Sequence, residues 1–259
     1  MKKVFRRGLR SILRFLCLVA VKKHDLEIVA VSGWYGVDIT REAMYTIIKR
    51  SDRKVRRVIS SPLTDWDVPV AILGLLEAPK NIPGWIYALI ISVIRLLFVK
   101  PNPSIVVLQL PAYDAGIMKY WMSFIRPDVV CVLSSQPGTL QLELLLADNV
   151  KEKGLLILNA DNIRTKSIAQ GKKHVIFFSE KKGDVTYRGH NGVLLLERGN
   201  TVYTIEKTLP EFSYAFIAAA ACISFYYTDI DFSQACESLR YFELPSDKLQ
   251  KVFHKFIED

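Results

Sequence analysis

The spacing of hydrophobic positions changes character along the chain. Residues 27–32 (EIVAVS) form a short apolar, β-branched run that stops at Gly33, and they read as a strand. Over residues 40–50, Ala43, Met44, Ile47 and Ile48 recur on one helical face, so this segment reads as a helix. The unit is strand, glycine turn, helix. It recurs downstream: residues 104–110 (SIVVLQL) predict a buried strand, 117–125 a helix and 128–133 (DVVCVL) another strand. Residues 154–158 (GLLIL) predict a strand running into Asn159, followed by a helix around 163–169 and a strand over 174–178 (HVIFF). Alternation of this kind implies parallel strands joined by crossover helices.

From residue 184 the period becomes two. The segments DVTYRG, GVLLLE and TVYTIE, separated by HNG and RGN turn signals, predict a small antiparallel sheet. Residues 212–227 are alanine-rich and apolar enough for a buried helix, and 233–241 predict a second helix ahead of a basic tail from Lys248. No repeat or low-complexity linker interrupts the chain. The expected organisation is a basic amphipathic segment at 1–24, one domain at 25–250 and a tail at 251–259. Half of the 259 residues are hydrophobic, which allows a sizeable core.

Charge changes the picture at the start of the chain. Of the net charge of +9, eight positive side chains precede the first acid, Asp25: Lys2, Lys3, Arg6, Arg7, Arg10, Arg14, Lys22 and Lys23. No basic cluster with interleaved aromatics lies within the fold, so nucleic acid is not an expected partner. The apolar run at 15–21 is well short of the ~20 residues a membrane span needs. Arg14 interrupts a would-be signal peptide, and no clean small-residue cleavage site follows. An amphipathic helix packed on the domain is the first expectation. Contact of residues 1–23 with an anionic membrane surface, or with an acidic partner, is the alternative. A second apolar stretch, 85–99, is broken by Arg95 and reads as a partly buried helix. If both stretches face outward together, peripheral membrane attachment becomes the better account.

Cys17, Cys131, Cys222 and Cys236 form no CxxC pair and read as reduced core thiols of a cytoplasmic protein. His24, His174, His190 and His254 are scattered and match no nucleophile or metal arrangement. Asp65 and Asp67, beside Trp66, read as a solvated acidic turn.

The glycine turn carries the chemistry. Residues 33–36 (GWYG) sit between a strand and a helix, where backbone amides can cradle phosphates. The segment SGWYGVDITREAM resembles the Mur ligase loop pattern G-[ST]-x-G-K-T-[ST]-T, and later blocks fall in the same register. Residues 67–73 (DVPVAIL) are similar to GVPLTLL, 108–120 (LQLPAYDAGIMKY) to LEMGADRPGDIKY, and 126–132 to RPDVAVV. Residues 137–141 (PGTLQ) stand at P-x-H-L-E, and 151–164 (KEKGLLILNADNIR) match KGELVLNADDPR. Residues 214–220 resemble the helix Y-N-A-L-A-A, and 242–249 (FELPSDKL) faintly resemble the junction F-x-P-P-x-G-R-M. The chain thus resembles the central ATP-binding domain of the Mur ligase family, nearest to the ligases that add D-alanyl-D-alanine to the muramoyl tripeptide. That resemblance implies a three-layer α/β fold: a mainly parallel P-loop-type sheet with helices on both faces, plus the small antiparallel sheet. It also implies that the family's N- and C-terminal domains are lacking.

The family activates a carboxylate with ATP, which requires a phosphate-binding lysine and groups that hold magnesium. At the loop lysine position this chain has Val37, and at the following hydroxyl Asp38. Gln109 stands for a metal-linked glutamate, Thr139 for a metal-binding histidine and Gln141 for the glutamate after it. These changes argue against ligation by the family mechanism and disfavour magnesium. Gly33, Gly36 and Thr40 of the loop, with Asn159, Asp161 and Arg164 of the segment the family sets beside adenine, would leave at most weak ATP binding. The expected function is a non-catalytic, regulatory or binding relative in peptidoglycan precursor synthesis, cytoplasmic or peripheral at the inner membrane face, with a protein partner in cell-envelope synthesis. The alternative is an ATP-binding acid–amino acid ligase or ATPase of altered mechanism, its missing cation supplied by a partner chain and Asp38 recruited to metal.

Overall fold

The computed structural model of the protein describes residues 3–57, 64–75, 77–98, 104–190, 192–206 and 210–243. The tail at 251–259 and most of the block at 242–249 lie outside them. Helix α1 (Lys3–His24) leads into strand β1 (Glu27–Ser32), helix α2 (Val37–Arg50) and strand β2 (Val55–Arg57). Helices α3 (Asp67–Ile72) and α4 (Ile82–Phe98) precede β3 (Ile105–Gln109). Then α5 (Ala115–Met122), β4 (Val129–Val132), α6 (Leu140–Asp148), β5 (Leu155–Asn159), α7 (Ile163–Ile168) and β6 (Val175–Ser179) alternate. Strands β7 (Val185–His190), β8 (Val193–Arg198) and β9 (Thr201–Glu206) follow, and helices α8 (Tyr214–Ala221) and α9 (Phe232–Leu239) close the described chain.

The strands form one sheet in the order β2-β3-β1-β4-β5-β6-β7-β8-β9. Pairing is parallel from β2 through β7 and antiparallel from β7 through β9. The antiparallel segments therefore extend the main sheet. The step from β6 to β7 is short: Phe178 stands beside Val185, and Asp184 holds the link by accepting from the Phe177 amide and donating its own amide to the Phe177 carbonyl.

Because side chains alternate across a strand, β1 feeds two cores. Val29 and Val31 face a layer containing α2, α8 and α9, whereas Ile28 and Ala30 face one containing α1, α3, α5, α6 and α7. Three layers result, as the fold expectation has it. Helix α1 belongs to the second core through Leu9, Leu13, Leu16 and Cys17. All four cysteines are free and buried, which raises Cys236 to about 12 and Cys17, Cys131 and Cys222 well above the ordinary thiol range.

Several local expectations are corrected. Helix α2 begins at Val37, three residues before the expected residue 40, because Gly36 takes a left-handed φ of 70° and closes the turn there. The long helix at 212–227 is broken into a 3-10 turn at Glu211–Ser213, α8, and a 3-10 segment at Cys222–Phe225, where the Ser224 hydroxyl bonds the Ala221 carbonyl at 2.9 Å. Asp65 does not lie in a solvated turn. It is 1% exposed and pairs with Arg6 at 3.0 Å and Arg10 at 3.5 Å, so the acid fixes α1 against the domain. Asp67 accepts from the amide and hydroxyl of Thr64 and begins α3.

Candidate functional site

Strand β1 lies between β3 and β4, so the connections leaving β1 and β3 run in opposite directions across the sheet. In open parallel sheets such a reversal leaves a crevice at the carboxyl ends of the strands, the usual place for a ligand. The turn at 33–36 occupies that position, flanked by the ends of β3 and β4.

The turn is closely packed. Gly33 has φ 145°, and a Cβ there would stand 3.0 Å from Leu133 Cβ. At Gly36 a Cβ would meet the Phe216 ring at 2.3 Å. Phe216 stands at a position of the 214–220 block where the family pattern is small, and its ring lies against the loop. Its carbonyl accepts from the Thr40 hydroxyl at 3.1 Å, fastening α8 to α2. The Trp34 amide, a potential phosphate donor, instead donates to Ser134 Oγ at 3.0 Å. Trp34 and Tyr35 project into solvent, edge to face, with ring centres 6.2 Å apart. Val37 is buried, and Asp38 sets a carboxylate in the first turn of α2, where the helix dipole already favours an anion.

Gln109, at the end of β3, meets a cation from the chain itself. Arg41, only 3% exposed, donates from Nη1 to Gln109 Oε1 at 3.2 Å. The same guanidinium pairs with Asp38 at 3.3 Å and Glu42 at 3.0 Å, and Glu42 is also held by Arg57 at 2.7 Å. Charges in this corner are thus matched within the protein. A divalent ion would have to enter beside a buried guanidinium, which Coulomb repulsion opposes. Among the described residues, no group of three or more His, Cys, Asp or Glu side chains could hold a metal. Of the oxygen donors at that strand end, Gln109 Oε1 and the Asp38 carboxylate are both engaged by Arg41.

On the β4 side, Thr139 stands at the start of α6, and its hydroxyl bonds Glu143 Oε1 at 3.2 Å. Glu143 is buried, which pushes its carboxyl above the ordinary range, while the Ser135 and Thr139 hydroxyls pull partly the other way. Gln141 is exposed on the same helix.

The segment at 159–164 is committed to its own turn. Asn159 donates to the Leu133 carbonyl at 3.0 Å and accepts from the Asp161 amide at 2.8 Å. Asp161 takes the Ser179 hydroxyl at 2.6 Å and the Glu180 amide at 2.8 Å, tying β5 to the end of β6. Asn162 caps α7 through the amides of Arg164 and Thr165, and Arg164 is exposed. Sequence reasoning thus located the loop and strand ends but missed Arg41, Glu143 and Phe216. A buried arginine one turn into the helix after a glycine loop, and a phenylalanine among alanines in α8, were the available signals.

At the level of sequence, no family model and no curated protein matches the chain. Solved structures do match. The UDP-N-acetylmuramoylalanyl-D-glutamyl-2,6-diaminopimelate–D-alanyl-D-alanyl ligase from Acinetobacter baumannii aligns with a TM-score of 0.74 at 16% identity, covering 93% of this chain and 51% of that one. This chain has a Mur ligase-like central-domain fold. The same Mur ligase-like fold aligns with the MurF ligase from Thermotoga maritima, solved with ADP, at TM-score 0.67 and 16% identity over 88% of this chain and 52% of that one. A pseudomurein peptide ligase type C from Methanothermus fervidus matches at 0.60 and 15%, over 87% and 51%. The chain spans about half the length of each of these ligases.

Proposed function

We propose that this protein is a non-catalytic Mur ligase-like protein that serves cell-envelope synthesis by binding, in a regulatory or partner role. One observation carries the reading: buried Arg41 occupies Gln109, Asp38 and Glu42 at the strand end where the family resemblance sets magnesium chemistry. Val37 in place of the loop lysine, the Trp34 amide turned to Ser134 and Phe216 seated on Gly36 support the same reading. The peptidoglycan pathway rests on the solved ligases that share the fold.

The alternative of an ATP-dependent ligase of altered mechanism needs Asp38 for metal, and that carboxylate pairs with Arg41. Calorimetry with ATP, with and without magnesium, separates the two. Weak binding that ignores magnesium, or none, is expected. Magnesium-dependent ATP binding, or ATP hydrolysis lost on Asn159→Ala, would overturn the proposal.

A further inference from the structure

Helix α4 is 17 residues long, about 25 Å at the usual rise per residue, too short to cross a hydrocarbon core of ~30 Å. Among the described residues no helix is long and apolar enough to cross a membrane. Yet α4 is apolar nearly all round. It lies against the domain through a buried stripe of Trp85, Ala88, Ser92 and Leu96, with Trp85 packed on Trp66 at 5.5 Å between ring centres. The remaining arc faces outward and carries Ile86, Tyr87, Ile90, Val93, Leu97 and Phe98, of which Phe98 is 80% exposed. Soluble proteins rarely leave so continuous an apolar face unpartnered.

Helix α1 adjoins it. Lys23 Nζ donates to the Leu96 carbonyl at 2.7 Å, joining the C-terminal ends of the two helices. Ile12 and Phe15 are exposed on α1, in one stripe with Val19 at helical spacing. Beyond that stripe stand Arg7, Arg14 and Lys22, exposed and, unlike Arg6 and Arg10, without an ion pair among the described residues. Neither helix contains a single acid.

We infer that α1 and α4 together form a docking face for an anionic lipid bilayer, with α4 lying in the plane of the interface and the α1 cations engaging lipid phosphates. Charge complementarity selects this occupant. A two-helix face without carboxylates, with cations at one margin and an aromatic ring near each end of α4, has the composition of an interfacial surface. A specific protein interface would carry hydrogen-bonding groups across its patch, and apart from Tyr87 and Arg95 the outward arc of α4 has none. The inference does not depend on the ligase-like reading of the glycine turn.

Sedimentation of the full chain with vesicles tests it. Vesicles of phosphatidylcholine mixed with phosphatidylglycerol should pellet the protein, and phosphatidylcholine alone should do so far less. Ile90→Asp combined with Leu97→Asp should reduce binding by roughly tenfold or more per side chain. Arg14→Gln with Lys22→Gln should reduce it by roughly twenty-five-fold on the anionic vesicles alone, at about fivefold per cation removed. All four positions are exposed, so the thermal midpoint should hold, and the two independent pairs guard against a folding defect in one. Failure of the wild type to pellet overturns the inference, as does pelleting unaffected by the α4 pair. Self-association removed by that pair, without vesicle binding, assigns the face to a second copy and also overturns it.

Discussion

The glycine turn and the outer face of α4 are opposites. At the turn, groups suited to a nucleotide are spent on one another: Arg41 on Asp38, Glu42 and Gln109, the Trp34 amide on Ser134, and Asn159 on Leu133 and Asp161. On the outward arc of α4, the exposed apolar side chains Ile86, Ile90, Val93, Leu97 and Phe98 carry no polar group to be satisfied within the chain. A fold can keep the outline of a ligand crevice while its internal pairings occupy the groups that line it. Capacity for new contacts then resides where groups are left unmatched.

The sharpest way to break this contrast is within α4 itself. Trp85→Ala should cost about 3–5 kcal/mol, because it empties a fully buried ring site, whereas Ile90→Ser on the outward arc should change stability by less than about 0.5 kcal/mol. Urea unfolding of both variants measures the difference. Next in size is Arg41→Met, which takes the guanidinium from Asp38, Glu42 and Gln109 while Arg57 still holds Glu42, and should cost about 1–2 kcal/mol, discounted because both carboxylates are partly exposed. It should also make the thermal midpoint rise with added magnesium, a response absent from the wild type. Gly36→Ala should cost about 1–3 kcal/mol through its left-handed φ and the Phe216 ring, and Phe216→Ala should relieve part of that cost in a double-mutant cycle. The smallest effect concerns pH. Glu143 has a raised folded-state pKa, so the stability linked to its protonated form is full below the ordinary carboxylate range and is lost as pH rises through the raised value. Glu143→Gln should therefore be more stable than wild type at pH 8, and thermal melts should show the gap closing as the solution is acidified.

How much the sequence disclosed depended on whether a feature was local. The central strands could be read because each is a run buried on both faces, as Ile28 to Val31 and Val129 to Val132 are. Strand β2 could not: Val55, Arg56 and Arg57 form a three-residue edge with two cations. The glycine turn was legible because strand, glycine and helix are contiguous. Arg41 was not, since its partner Gln109 is 68 positions away and only the β1–β3 register brings them together. Asp65 was misread for the same reason. Its partners lie on α1, 59 positions earlier in the case of Arg6, and an acid between two apolar blocks resembles a turn until that helix folds over it. Phe216 sits in a stretch that reads as a buried helix resembling Y-N-A-L-A-A, and nothing local told which way its ring would face.

The buried thiols offer a use of their own. Cys17 rides on α1, Cys131 on β4, Cys222 in the 3-10 segment after α8 and Cys236 on α9, so both helical layers and the sheet between them each hold at least one. A buried thiol held protonated reacts only when its surroundings open. Timed alkylation followed by peptide mass mapping would then act as a four-channel clock, reporting which layer loosens first. A cysteine introduced on the outward arc of α4 would be the fast-labelling site against that silent background.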